Sequence, residues 1–195
     1  MHWKATSIPL KDAFLLYRPK YHDFRGAFSE LFKCSVLKQV GLNTHILQVN
    51  YSTSRRGVLR GLHMQIPPYA QGKLVTCVLG KVYDVIVDAR PDSSTCGKWY
   101  AAELSETNCN VLWVPEGFLH GFLTLSDRAM VVYAVTGNEY VPESERTVKW
   151  NDRDLNIKWP LNAVAGVILS DKDMHGISFA ELINELRTVV GRKNE

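Results

Sequence analysis

Lys73-Leu74-Val75-Thr76-Cys77-Val78-Leu79, then Gly80, then Lys81-Val82-Tyr83-Asp84-Val85-Ile86-Val87-Asp88, ending in Arg90-Pro91-Asp92, is the stretch from which the fold is read. Two apolar, β-branched runs of strand length meet at a glycine and stop at a turn, a pattern of paired strands rather than of helix. Outward from it the same rhythm fills the chain from about Ile46 to Tyr133. Lys98 to Leu104, Val111 to Val114, Gly121 to Leu125 and Ala129 to Val135 are further runs, and Ser105-Glu106-Thr107-Asn108 supplies a turn. Short strands at this spacing predict an all-β sandwich or barrel.

Helical periodicity is confined to the ends. Lys33 to Val40 is a short candidate, and Ser178 to Val190 carries Phe179, Leu182, Ile183 and Leu186 at helical spacing. Ser178 with Glu181 has the form of a capping box. The segment Trp150-Asn151-Asp152-Arg153-Asp154-Leu155-Asn156-Ile157-Lys158-Trp159-Pro160 reads as a structured loop, because its tryptophans are costly to leave in water.

Composition bounds the rest. At 195 residues, 46% hydrophobic and 22% charged, the chain can bury a core as one domain over residues 1–195, with a core barrel at about 45–135 and a C-terminal helical appendage at about 177–191. Met1-His2-Trp3-Lys4-Ala5-Thr6 lacks a signal-peptide core, and no run approaches the ~18 apolar residues of a membrane span, so the expectation is a cytoplasmic protein with no membrane partner. A net charge of +3 is too small to argue for nucleic acid but suits an anionic small molecule. Cys34, Cys77, Cys96 and Cys109 form no CxxC pair and read as buried free thiols.

The chemistry gathers in two segments. In Arg55-Arg56-Gly57-Val58-Leu59-Arg60-Gly61-Leu62-His63-Met64-Gln65, Arg60 and His63 share a short Gly-flanked run, and Lys73 follows where the next strand begins. In Val114-Pro115-Glu116-Gly117-Phe118-Leu119-His120-Gly121-Phe122, a Pro-x-Gly-x-x-His pattern is one that in cupins returns a strand to the barrel with its histidine inward. His63 and His120 are therefore expected to converge on the interior, where small barrels hold a ligand. Alone, His63 between Leu62 and Met64 would be a hydrogen-bonded core residue. The position two residues on is Gln65, so the His-x-His pair of metal-binding cupins is broken and no metal site is expected.

These motifs, taken in order with Arg25-Gly26-Ala27-Phe28-Ser29-Glu30, Gln48-Val49-Asn50, Gln71-Gly72-Lys73-Leu74-Val75, Pro142-Glu143-Ser144-Glu145 and Trp150-Asn151-Asp152, resemble the dTDP-4-dehydrorhamnose 3,5-epimerases over residues 5 to 185. The resemblance implies a double-stranded β-helix, or jelly-roll cupin barrel, with short N- and C-terminal helices. It further implies a homodimer without metal or organic cofactor, acting on a dTDP-4-keto-6-deoxyhexose. Residue by residue, it implies that His63 is the proton acceptor, Asp173 its orienting partner and Tyr133 the proton donor. Lys73 and His120 match positions at the hexose and its C4 oxygen, and Arg25, Arg60 and Lys172 match substrate-contacting positions. Glu30, Gln48, Asn50 and Glu145 complete the polar set, and Tyr140 matches an aromatic that stacks on thymine. Asp171 lies two residues from Asp173, where strand alternation would put either on one face.

The implied reaction needs these residue types. A C4 ketone acidifies the hydrogens on C3 and C5, yet their removal still requires a placed base and a stabilised enolate. An imidazole, with a reference pKa near ~6.5, suits the base, and a carboxylate on its other nitrogen fixes the tautomer. A cationic Lys73 would meet the charge developing on the C4 oxygen. A phenol, neutral up to its reference pKa near ~10, can return a proton from the opposite face. Arginine forks suit the diphosphate. The sequence departs from the family pattern at Met64, at Phe24, and in Ala134-Val135-Thr136-Gly137-Asn138-Glu139, one residue longer than usual. Inversion at both C3 and C5 is expected; a single-centre epimerase, a 3,4-ketoisomerase and a non-catalytic sugar-nucleotide-binding cupin are the alternatives.

Overall fold

The computed structural model describes residues 2–42 and 45–191. In chain order these form β1 (Lys4–Ser7), β2 (Phe14–Tyr17), β3 (Tyr21–Asp23), β4 (Gly26–Phe28), α1 (Cys34–Gln39), β5 (Gln48–Arg55), β6 (Leu59–Gln65), β7 (Gly72–Leu79) and β8 (Lys81–Asp88). They continue with β9 (Trp99–Ser105), β10 (Asn110–Val114), β11 (Phe118–Thr124), β12 (Arg128–Thr136), β13 (Glu145–Thr147), α2 (Asp171–Met174) and α3 (Phe179–Gly191).

Two antiparallel sheets face each other, a six-stranded one in the order β1-β2-β10-β7-β12-β5 and a five-stranded one in the order β13-β6-β11-β8-β9. The strands cross between the sheets as in a jelly roll. Alternation along each strand sorts the side chains into three layers. Val75 and Cys77 of β7, Val82 and Ile86 of β8, Leu112 and Val114 of β10, Phe122 of β11 and Val131 of β12 fill the space between the sheets. Val85, Val87, Leu119 and Leu123 face the other way, into a second core closed by Leu182, Ile183 and Leu186 of α3 and by Trp159. Leu74, Val111, Trp113 and Ala134 form a third, under Leu37 of α1. The α3 helix is therefore a lid on the outer face of the five-stranded sheet.

The expected end signals have a structural basis. Ser178 N–H donates to Glu181 Oε2 at 2.7 Å and Glu181 N–H to Ser178 Oγ at 3.2 Å, the reciprocal bonds of a capping box. The loop between the tryptophans is tied by Trp159 Nε1–H to Trp150 O at 2.8 Å, and its Asp152 accepts Phe179 N–H at 2.9 Å. Arg146 on β13 pairs with Glu185 on α3 at 2.6 Å. Not every thiol is buried: Cys34, on the outer side of α1, is exposed. Among the described residues, no helix is long and apolar enough to cross a membrane.

Candidate active site

The layer between the sheets is not apolar along its whole length. Toward one end it opens into a cavity of about 330 Å³ lined by Asn50, Ser52, Arg60, His63, Lys73, His120 and Tyr133, with Tyr140, Glu145 and Lys172 at its margin. These side chains face inward for the same reason as the core residues beside them. On β7, Lys73 lies two before Val75; on β8, Asp84 lies between Val82 and Ile86; on β12, Tyr133 lies two after Val131.

β6 and β11 need a further device. His63 and Arg60 differ by an odd number of positions, so a regular strand would send them to opposite faces. The register shifts here: His120 is opposite His63 and Phe122 opposite Arg60, leaving β6 one residue longer than its partner across the gap. Two glycines permit it. A Cβ on Gly61, whose φ is +118°, would sit 2.6 Å from Gly121 Cα, so the strands approach more closely than side chains allow.

His63 Nε2 lies 2.5 Å from Oδ1 of Asp173, which is buried. Burial works against ionisation of Asp173, but hydrogen bonds from His63, Ser170 and the Gly61 N–H outweigh it and hold the carboxyl below the usual carboxylate range. An ionised Asp173 fixes the imidazole proton on Nε2, leaving the Nδ1 lone pair to act as a base. Asp173 is placed by α2, not by a strand. The helix is a single turn whose N-cap, Ser170, accepts Asp173 N–H at 3.3 Å and donates its hydroxyl to Oδ2 at 2.8 Å. Asp171 sits two positions earlier in the same helical turn and is exposed, so helical rather than strand spacing separates the two aspartates. The segment carrying α2 is strapped to the barrel by two parallel bridges, Val58 with Ile168 and Val148 with Ile177.

On the other wall, Tyr133 Oη is 2.9 Å from Ser52 Oγ, and the ring stands edge-on to His120 at 6.0 Å. Burial pushes the Tyr133 phenol up, with the Ser52 bond pulling weakly the other way. His120 Nε2 is 3.0 Å from both oxygens of Asp84, a fully buried carboxylate raised by desolvation and opposed by its histidine. Burial lowers the Lys73 ammonium from the usual lysine range; the charge of Glu145 counters this and that of Lys172 adds to it. No ion pair of Lys73 is present among the described residues; Glu145 is bonded instead to Lys172 Nζ at 2.7 Å. Lys73 is thus a partly buried amine that faces the cavity with no carboxylate paired to it among the described residues.

The rim is a connected polar chain. Tyr140 Oη–H donates to Glu145 Oε2 at 3.0 Å, Tyr140 N–H to Gln48 Oε1 at 3.1 Å, and Gln48 Nε2 to Asn50 Oδ1 at 2.8 Å. Burial disfavours the Glu145 anion, but bonding to Lys172, the His63 charge and the Tyr140 hydroxyl outweigh this and hold it below its usual range. Arg60 reaches the cavity with its Nε on Ser54 Oγ at 3.1 Å. Two expected site residues lie elsewhere. Arg25 is on the exposed β3–β4 hairpin, paired with Asp23 at 2.6 Å, and Glu30 bonds Lys33 at 3.2 Å and Trp3 Nε1 at 3.4 Å on another face. Neither lines the cavity within its own chain. Sequence reading missed Asp84, Ser52 and Ser170. A carboxylate within the apolar run Val82 to Val87 was the available sign for Asp84; Ser52 and Ser170 carry no such sign.

Two sheets rolled around a cavity of opposed ionisable side chains define a class, the cupin barrel fitted for acid–base chemistry. Comparison gives the family. The dTDP-4-dehydrorhamnose 3,5-epimerase family model matches residues 7–181, and the chain belongs to that family. It is 49% identical over 169 residues to a dTDP-4-dehydrorhamnose 3,5-epimerase of Shigella flexneri, which spans 86% of this chain and 91% of that protein. The crystal structure of the enzyme of that name from Elizabethkingia anophelis superposes with a TM-score of 0.85 at 44% identity, covering 93% of this chain and 98% of that one. A 3,5-epimerase from Legionella pneumophila, solved in complex with dTDP-4-keto-L-rhamnose, gives 0.87 at 38% identity over 93% and 97% of the two chains.

Proposed function

We propose that this chain inverts C3 and C5 of dTDP-4-dehydro-6-deoxy-D-glucose to give dTDP-4-dehydro-L-rhamnose, with the acid and base on opposite walls of the cavity. The observation that carries the reading is the His63–Asp173 pair at 2.5 Å sharing a cavity with the buried phenol of Tyr133 and the unpaired cation of Lys73. His63 Nδ1 takes the proton from C3 or C5, and the C–H electron pair moves to the C4 oxygen. Lys73 and His120 meet that charge in a desolvated setting, where such donors act most strongly. Tyr133 Oη–H then protonates the carbon from the other face, the enolate electrons return, His63 gives its proton up to solvent, and Ser52 holds the phenolate until solvent restores its proton. Each centre is inverted with no net change in atoms, and no step calls for a metal or organic cofactor. Arg60, Lys172, Gln48, Asn50 and Glu145 serve the nucleotide diphosphate and sugar, and Tyr140 stacks on the thymine.

Incubation with the keto sugar nucleotide in heavy water tests this. Deuterium should enter at both C3 and C5; label at one carbon only, or a 3-keto product, would overturn the double inversion.

We further propose that the protein works in the cytoplasm as one domain and as a homodimer. Phe24 and Phe28 of the hairpin are 98% and 67% exposed, and Val49 and Tyr51 on the edge strand β5 are 59% and 71% exposed. An isolated hairpin is marginal in water and an apolar edge strand invites pairing. A second copy covering both would also bring Arg25 and Glu30 toward a cavity they do not reach in their own chain. Sedimentation should find a dimer; a monomer at working concentration would remove this part of the proposal.

A further inference from the structure

We infer that Gln65 is a positioning residue: its side-chain amide clamps together the two loops beside the cavity and so sets the place of Tyr140. Gln65 occupies the position where a metal-binding cupin would have its second histidine, and it is buried at the cavity wall. Its polar atoms are committed to backbone. Nε2 donates to Tyr69 O at 2.6 Å and to Glu139 O at 3.2 Å, while Oε1 accepts Val141 N–H at 2.6 Å. Both amide hydrogens are used, so the side chain has no donor left for a ligand. It joins the loop of residues 66–71, which leads into Lys73, to that of residues 137–141, which carries Tyr140.

Other amides tighten the same seam. Gln71 Nε2 donates to Asn138 O at 3.0 Å, and Asn138 Nδ2 to Ala70 O at 3.0 Å. The segment is held on both sides of Tyr140, at Glu139 O and at Val141 N, while the Tyr140 hydroxyl is held by Glu145 Oε2 at 3.0 Å. The arrangement demands a donor toward two carbonyls and an acceptor toward one N–H, which only a neutral amide in this orientation supplies.

This inference rests on the reading of Tyr140 as the residue that packs on the nucleobase, and the test separates the two. Binding of dTDP, KM and kcat are measured for the wild-type protein, Gln65→Leu and Gln65→Glu from about pH 5.5 to about pH 8.5, with a thermal melt of each. A carboxylate in place of the amide faces two carbonyl oxygens, so its proton is held more tightly than in water. Gln65→Glu should bind dTDP roughly 10-fold more weakly at the alkaline end, the scale of a lost base stack. It should recover toward wild type at the acid end, where the protonated acid regains one donor. Gln65→Leu should be weakened at every pH, with KM moving more than kcat in both variants. The ionisable groups around the clamp, His63, Lys73, Tyr140, Glu145, Lys172 and nearby Glu139, are common to all the proteins, so the readout is variant against wild type at each pH. In a Tyr140→Ala background, Gln65→Glu should cost nothing further. Wild-type affinity in Gln65→Glu at alkaline pH would overturn the inference. So would kcat and melting temperature falling together with affinity at all pH. A wild-type protein that neither binds dTDP nor exchanges deuterium would instead sink the epimerase reading.

Discussion

Replacing Lys73 by Met should weaken catalysis and strengthen the fold at once. Lys73 sits on β7 opposite Val114 and Val135, with burial lowering its ammonium from the usual range and no carboxylate paired with it. The Glu145 that could serve is bonded to Lys172 and Tyr140. The folded protein therefore carries a partly desolvated ammonium, and an oxyanion formed beside it would offset that cost. Methionine keeps the length and unbranched shape and removes the charge. By comparison with the loss of one oxyanion-stabilising donor, kcat should fall about 10²- to 10³-fold. Because the ammonium still touches cavity water, the stability gain is modest, about 1 kcal/mol, or roughly 2–4 °C in Tm for a chain of this size. The sign with pH follows. The folded pKa lies below the unfolded one, so the charge destabilises the fold at neutral pH, and the penalty fades as pH rises through the folded value toward the unfolded one. The difference in Tm between variant and wild type should be widest near neutrality and close in alkaline buffer. Deuterium exchange into the keto sugar nucleotide and paired thermal melts read both effects. A variant that is less stable at every pH, or that keeps kcat within about threefold, would refute the reasoning.

Other perturbations address the remaining parts. Asp173→Asn should leave the fold intact while lowering kcat about 10³- to 10⁴-fold, since a neutral amide no longer holds the proton on His63 Nε2; exchange rates with dTDP affinity as a control check it. Ser52→Ala removes the hydrogen bond at 2.9 Å to the Tyr133 phenol and should slow reprotonation about 10-fold, seen as a larger solvent isotope effect on kcat. Gly57→Ala places a Cβ 2.5 Å from Gly166 O at a φ of +84°, and should destabilise by about 2 kcal/mol while loosening the strap that carries Asp173; a melt and a kcat measurement suffice. Asp173 and Glu145 are both held below their usual range, so the stability they contribute is present above about pH 4 and lost as pH falls through their folded values, which acid titration by circular dichroism follows.

The barrel was legible because its strands repeat one signal many times. β8 runs Lys81–Asp88, the very stretch read from β-branched alternation, and the turn and capping-box residues sit where their chemistry requires. β1 to β4 were not foreseen: each is three or four residues long, too short for a period to emerge, and is held by tertiary pairing. The same limit explains α2, a single helical turn that resembled a strand in its spacing of Asp171 and Asp173. Within the site, histidines and lysine announced themselves by standing in glycine-flanked or strand-initial positions. Asp84 did not, because its partner His120 is 36 residues away and nothing in either segment points to the other. Arg25 and Glu30 belonged to a family motif, yet motif membership says nothing of which cavity a side chain reaches.

The strap bearing α2 has a consequence for the order in which the molecule becomes competent. His63 leaves the ribosome well before Asp173, which follows 110 positions later on α2. A nascent chain through β12 already has the cavity walls but holds an undirected imidazole. Proton abstraction is thus withheld until the strap bearing α2 docks, and enzymatic turnover becomes a certificate that this strap has been made and seated. Proteolytic trimming from the C-terminal side should accordingly silence the protein before the barrel itself is touched.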